Sequence, residues 1–210
     1  ATGEGAFYRI AIQDVERIEV LRGPASVIYG TNAYSGAVNI VLKRSDRRQI
    51  EMDAGLGDRD SYRAGGSATL VGKGGASLFL SAHASERRGE VWTFVDEKRV
   101  SGPVRDFEES RALTLSLQSP RHALLANLFR SEESSLGTAA TFATGAGRHH
   151  DGEGLLLSYS YTRPLGARAD LKGGLVYDRG HRDFPRTGDD AIATDGDAYR
   201  ASGFLRSSVR

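Results

Sequence analysis

Apolar and polar residues alternate along most of this chain with the two-residue period of β-strands, most clearly from residue 49 onward. In RALTLSLQS (111–119), Leu113, Leu115 and Leu117 fall on one face, with Thr114, Ser116 and Gln118 on the other. In GLLLSYSYTR (154–163), Leu155, Leu157, Tyr159 and Tyr161 share a face opposite Leu156, Ser158, Ser160 and Thr162. ASLFLSAHAS (76–85) places Leu78, Leu80, Ala82 and Ala84 together. Further strands are predicted at 50–57, 62–71, 123–131, 168–178 and 198–207, the first two forming a hairpin around Asp58-Arg59-Asp60. The total is about eight strands of roughly 9 to 11 residues, the length that crosses a bilayer when tilted.

The connections follow a second pattern. Short turns at 72–75 (GKGG), 119–121 (SPR) and 164–166 (PLG) alternate with long polar stretches. Residues 86–107 are charged, contain Trp92 and Phe94, and read as an external loop with extended arms; 132–152 and 180–197 read as two more long loops. Short turns at one end and long loops at the other are expected of a transmembrane barrel. A soluble sandwich also has short alternating strands but no reason for that asymmetry. Tyr159, Tyr161, Tyr177 and Tyr199 suit an interfacial aromatic girdle, the alternative being a soluble β core.

Residues 14–44 read differently. Val15, Ile18, Val20 and Leu21, interleaved with Glu16, Arg17 and Glu19, predict a strand that Gly23-Pro24 breaks. A turn of helix is predicted over 25–29, with Gly30 as its C-cap. Residues 32–36 form a turn, and AVNIVL (37–42) is a second strand that stops at Lys43-Arg44. A strand-turn-strand unit of a soluble α/β domain would share these elements.

Three linked elements carry a more specific signal. IEVLRGP at 18–24, a small-x-x-Tyr-Gly element at 26–30 and GAVNI at 36–40 occur in order. With them, residues 13–44 closely resemble the end of the plug domain of TonB-dependent outer-membrane receptors; beyond 44 the similarity is a pattern match to barrel strands. The implied fold is mainly β: an antiparallel transmembrane β-barrel wall, partial and of about eight strands, preceded by the end of a small α/β plug. Residues 1–44 would be plug, 45–48 a hinge and 49–210 wall.

The resemblance implies an importer in the bacterial outer membrane. Its ligand would be scarce, typically a ferric siderophore, sometimes cobalamin, haem or a carbohydrate. Its expected partners are that ligand, outer-membrane lipid and a TonB-type energy-coupling protein, which acts through an upstream segment and draws on the proton-motive force. Glu16, Glu19, Arg22, Gly23, Pro24, Tyr29, Gly30 and Asn39 stand out as plug motif and plug–barrel contacts. A polar plug in a polar lumen is expected to be held by charge pairs and hydrogen bonds, which release without exposing much apolar surface. Arg22 would meet an acidic residue of the wall, or else be a solvated strand charge. Trp92, His149 and His150 are candidate ligand contacts in external loops.

Composition narrows the picture. The chain has 210 residues, 39% of them hydrophobic, with 26 glycines and a net charge of +1, which disfavours nucleic acid or any other polyanion as a partner. With no cysteine there are no disulfides, thiolate metal sites or cysteine nucleophiles. No apolar run approaches the ~18 residues of a membrane helix, but barrel strands hide from that test. Residues 1–6 do not read as a signal peptide, which suggests a piece of a longer protein.

Apparent sites weaken on inspection. GSATLVGKG (66–74) has five residues between its glycines where a phosphate loop has four, and Gly74 where that loop needs Ser or Thr, so it reads as a hairpin turn. His149-His150-Asp151 could bind a metal or haem iron; a polar loop tip is the favoured reading, because no third ligand is evident. Asp189-Asp190 and Asp195-Gly196-Asp197 lack EF-hand spacing and read as a solvated acidic loop. No nucleophile, base and orienting acid come together, so neither enzyme activity nor a cofactor nor a metal is expected. The alternatives are a small closed eight-stranded barrel with a structural or adhesive role, and a barrel hydrolase, against which the missing catalytic constellation argues.

Overall fold

The computed structural model describes residues 10–23, 36–44, 46–95, 99, 101–134, 149–166, 169–183 and 196–209. The described strands form two antiparallel sheets. In the smaller, β1 (Val15–Arg22) pairs with β2 (Gly36–Leu42), as the two apolar runs predict. Ile18 lies opposite Ile40 and Glu19 opposite Asn39. Gly36 enters β2 at φ +154, and a Cβ there would lie 2.5 Å from the Leu21 carbonyl oxygen, so the close approach of the two strands requires glycine. The predicted helical turn, with Pro24, Tyr29 and Gly30, lies outside the described residues.

The larger sheet is the wall. Its strands are β3 (Gln49–Leu56), β4 (Tyr62–Val71), β5 (Ser77–Val95), β6 (Ser101–Gln118), β7 (His122–Ser134), β8 (His149–Leu165), β9 (Ala169–Asp183) and β10 (Gly196–Val209). Each pairs with its neighbours in sequence, and β3 and β10 are the two edges. A closed eight-stranded barrel needs those edges joined; the strand order overturns that alternative for the described residues.

Register aligns the faces across the whole sheet. One row of cross-strand partners runs Ile50, Ala68, Leu80, Leu115, Ala126, Leu157, Tyr177, Ala201. The next row, one residue along, runs Glu51, Ser67, Ser81, Thr114, Asn127, Leu156, Asp178, Arg200. As far as Tyr177, the apolar row belongs to the exposed face: Ile50 is 72% exposed and Leu157 38%. As far as Asp178, the polar row belongs to the covered face: Thr114 and Asn127 are both fully buried, with Asn127 Nδ2 donating to Thr114 Oγ1 at 3.1 Å. Among the described residues Phe79 is the one buried apolar side chain, whereas Asp14, Thr69, Ser81, Thr114, Ser116, Asn127 and Ser160 are buried and polar. A water-soluble sandwich has the opposite arrangement; apolar-out and polar-in is the barrel wall in a membrane. Tyr159 and Tyr161, on the exposed face, pack beside His122 at a short turn; Tyr159 Oη lies 2.8 Å from His122 Nδ1.

Several strands run longer than the alternation predicts. β5 and β6 continue as a paired ribbon through residues expected to be loop, so Trp92 lies in β5, opposite Val104. Above the bilayer neither face of a ribbon needs to be apolar, and cross-strand charge pairs such as Arg87 Nη1–Asp106 Oδ2 at 2.6 Å take over. A register shift between Arg88 and Val91 bulges the ribbon there. His149 and His150 also belong to a strand, β8, opposite Ser134 and Glu133, and are not at the loop tip the composition suggests. Gly66–Gly74 is the end of β4 and a hairpin turn, Gly74 adopting φ +75. Asp189, Asp190 and Asp195 lie outside the described residues.

Candidate functional site: the seam between the small sheet and the wall

The seam begins at a tight turn. Residues 12–14 make one turn of 3-10 helix, in which the Asp14 amide donates to the Ala11 carbonyl at 2.9 Å. The Lys43 amide donates to the Asp14 carbonyl at 2.8 Å, extending the β1–β2 ladder by one bond. Asp14 is thereby fixed at the root of β1, with its side chain aimed at the covered face of β5. That side chain is only 1% exposed. It accepts hydrogen bonds from Ser81 Oγ and, at 2.8 Å, from His83 Nε2. Ser81 and His83 are two residues apart on one strand and so share a face. A buried carboxylate is costly without such partners, which makes this the strongest polar contact across the seam.

His83 fits because of its neighbour across the ladder. Asp53, Gly65 and His83 form one row of partners over β3, β4 and β5. A Cβ on Gly65 would lie 2.1 Å from His83 Nδ1, so only glycine lets the ring lie across β4. The ring's second nitrogen faces Asp53, with Nδ1 and Oδ1 3.6 Å apart, beyond hydrogen-bond distance.

A second contact spans the seam at its other side. Lys43 Nζ lies 2.8 Å from Glu51 Oε2, joining the end of β2 to the first wall strand. Both side chains are 41% exposed, so the pair contributes at most about 1 kcal/mol. A cavity of about 90 Å³ opens beside it, lined by Glu16, Lys43, Glu51, Ser67, Thr69 and Phe79.

Glu16, Glu19 and Asn39 are drawn together within the small sheet. Arg17 bridges Glu16 and Glu19, each at 2.8 Å, and Asn39 Nδ2 donates to Glu19 Oε2 at 2.8 Å. The hydrogen bonds from Asn39 and then Arg17 hold the Glu19 carboxyl below the usual carboxylate range. The bond to Glu19 in turn raises Arg17. Arg22, exposed at the end of β1, makes no side-chain hydrogen bond or ion pair among the described residues, and Gly23 follows at φ +96. Asp14, Ser81, His83 and Lys43, which make the contacts across the seam, were not singled out from the sequence. The available signal was polar Ser81 and His83 alternating with apolar Leu80, Ala82 and Ala84. Among the described residues, no three His, Cys, Asp or Glu side chains form a group able to hold a metal ion.

Comparison with known proteins adds to this geometry. Residues 1–37 match the TonB-dependent Receptor Plug Domain. The pesticin receptors of Yersinia enterocolitica and Yersinia pestis are 44% identical over 57 residues, covering 26% of this chain and 8% of the receptor. The vitamin B12 transporter of Vibrio cholerae is 29% identical over 126 residues, covering 54% of this chain and 21% of the transporter. The chain thus spans only a small part of the length of the curated relatives it matches. These relatives are named as a receptor and a transporter.

Proposed function

We propose that this chain, part of a TonB-dependent outer-membrane receptor, supplies the C-terminal end of the plug and the adjoining barrel wall of an importer for a scarce ligand such as a ferric siderophore. Residues 1–44 act as plug, 45–48 as hinge and 49–210 as wall. The observation that carries this reading is the seam: a small sheet joined to the polar face of a wall by hydrogen bonds and one ion pair, while the wall's other face is apolar. Contacts of this kind exchange readily for water, so the plug can shift without exposing apolar surface. A TonB-type protein, pulling on a segment upstream and driven by the proton-motive force, supplies the work. External loops, with the β5–β6 ribbon and its Trp92, capture the ligand, and Arg22, exposed at the end of β1 without a side-chain partner among the described residues, is left to pair with an acidic residue elsewhere in the barrel of the whole receptor. One relative is named a vitamin B12 transporter, so cobalamin is the competing ligand.

Uptake of labelled ferric siderophore and labelled cobalamin, measured in cells carrying the full-length protein, tests this reading. The expected result is uptake of one ligand that a protonophore abolishes while surface binding persists. Uptake that ignores the protonophore, or no uptake of either ligand, contradicts it.

A further inference from the structure

We propose that His83 is a two-position latch: at rest it grips Asp14 of the plug, and when that carboxylate withdraws it turns its other ring nitrogen to Asp53 of the wall. The inference rests on the reading of the plug as a moving part and says how that part lets go.

Four observations lead to it. Asp14 is buried, and both of its side-chain partners, Ser81 and His83, belong to the wall. His83 Nδ1 is buried with no hydrogen-bond partner among the described residues. Asp53 Oδ1 stands 3.6 Å from that nitrogen, too far to bond it at rest and near enough to be reached by a small turn of the ring. Gly65, between the two in register, leaves bare backbone beneath the ring and puts no side chain in the way of a small turn toward Asp53.

A cavity of about 320 Å³ adjoins the ring, lined by Asp53, His83 and Ser85 of the wall and by Ile10, Ile12 and Gln13 of the plug. It gives the ring room to turn and water a way in. Arg63 and Glu108 line the same cavity and stay with the wall in either position.

The chemistry favours two positions over one. A fixed plug anchor would have its second ring nitrogen satisfied, because an unmade buried hydrogen bond is destabilising. Here the unmade bond belongs to the resting state, and its acceptor belongs to the part that stays behind. When Asp14 leaves, His83 would otherwise be stranded in the lumen wall. Bonding to Asp53 keeps it partnered, so the resting and released states differ less in free energy. Protons balance in the exchange: entering water delivers a proton to the Nδ1 lone pair, and Nε2, which donates to Asp14 at rest, releases its own to water, so the neutral ring passes from one tautomer to the other and donates to Asp53 through Nδ1.

The sign of one mutational effect tests the proposal. In a cysteine-free background of the full-length protein, in unenergised outer-membrane vesicles, Ala11→Cys reports plug opening through its rate of reaction with a charged maleimide. Asp53→Ala should slow that rate by about tenfold, because the released state loses its acceptor, and Asp53→Asn, which keeps a neutral acceptor oxygen, should slow it less. His83→Ala should speed it. If Asp53→Ala speeds labelling, Asp53 supports the resting state and the latch is overturned; an unchanged rate overturns it too. Heat-modifiable migration on a gel confirms that each barrel has assembled. Because these rates are read without energy, failure of the latch is distinct from failure of the import reading, which would show as absent uptake by the unaltered protein.

Discussion

Asp14 Oδ1 lies 2.8 Å from His83 Nε2, across 69 residues of sequence and across the boundary between the two sheets. A carboxylate with 1% exposure contributes through the partners it keeps. Asp14→Ala removes the acceptor that joins Ser81 and His83 to the plug and should loosen plug docking by about 1.5–3 kcal/mol. Limited proteolysis of the full-length protein in vesicles checks this: residues 10–23 should be cut faster while the barrel stays intact. Equal cutting rates would remove Asp14 from the account.

Glu19 gives the plug sheet a pH dependence of known sign. Its carboxyl is held below the ordinary 4.5, first by Asn39 and then by Arg17. A depressed folded-state pKa means stability that is fully present above 4.5 and lost as pH falls through the lowered value. An NMR titration should place the Glu19 midpoint below 4.5 in the intact protein and closer to 4.5 in Asn39→Ala. A midpoint at or above 4.5 in the unaltered protein would contradict the Glu19–Asn39 geometry.

Gly65 and Gly203 should differ sharply in their response to the same substitution. A Cβ at 65 would meet His83 Nδ1 at 2.1 Å, whereas a Cβ at 203 would meet Leu175 Cδ2 at an ordinary 3.5 Å. Gly65→Ala should therefore displace His83 and raise protease access to the plug about as much as His83→Ala does, with Gly203→Ala indistinguishable from the unaltered protein. Matching behaviour of the two glycine variants would count against the placement of the His83 ring.

The apolar row makes a separate prediction. Leu115 and Leu157 belong to the lipid-facing row, so Leu115→Arg should destabilise folding into vesicles by about 2–4 kcal/mol near the bilayer midplane. Denaturant titration of the refolded full-length protein measures it. A cost below about 0.5 kcal/mol would mean that this face does not meet lipid.

Much of the fold was legible because a barrel wall writes its two environments into alternate residues. Leu113, Leu115 and Leu117 against Thr114 and Ser116 specify both the strand and its facing. The arms of β5 and β6 were less legible, since beyond the bilayer Arg87 and Asp106 form a strand pair with no apolar face to betray it. His149 and His150 were misplaced for the same reason: strand pairing with Ser134 and Glu133 continues into residues of loop-like composition. The seam was the hardest part to read. A single Asp before an apolar run looks like a local turn residue, and its partner lies 69 residues away. Only the register of β3, β4 and β5 brings Asp53, Gly65 and His83 into line.

The facing of the wall is the claim on which everything else depends, and a nitroxide scan of residues 112–117 in the full-length protein tests it most directly. Labels at 113, 115 and 117 should collide readily with dissolved oxygen and poorly with a nickel chelate, as lipid-facing sites do; labels at 112, 114 and 116 should show neither strong oxygen access nor the lipid signature. A profile without the two-residue period, or with the period reversed, would contradict the wall and with it the seam built on its inner face.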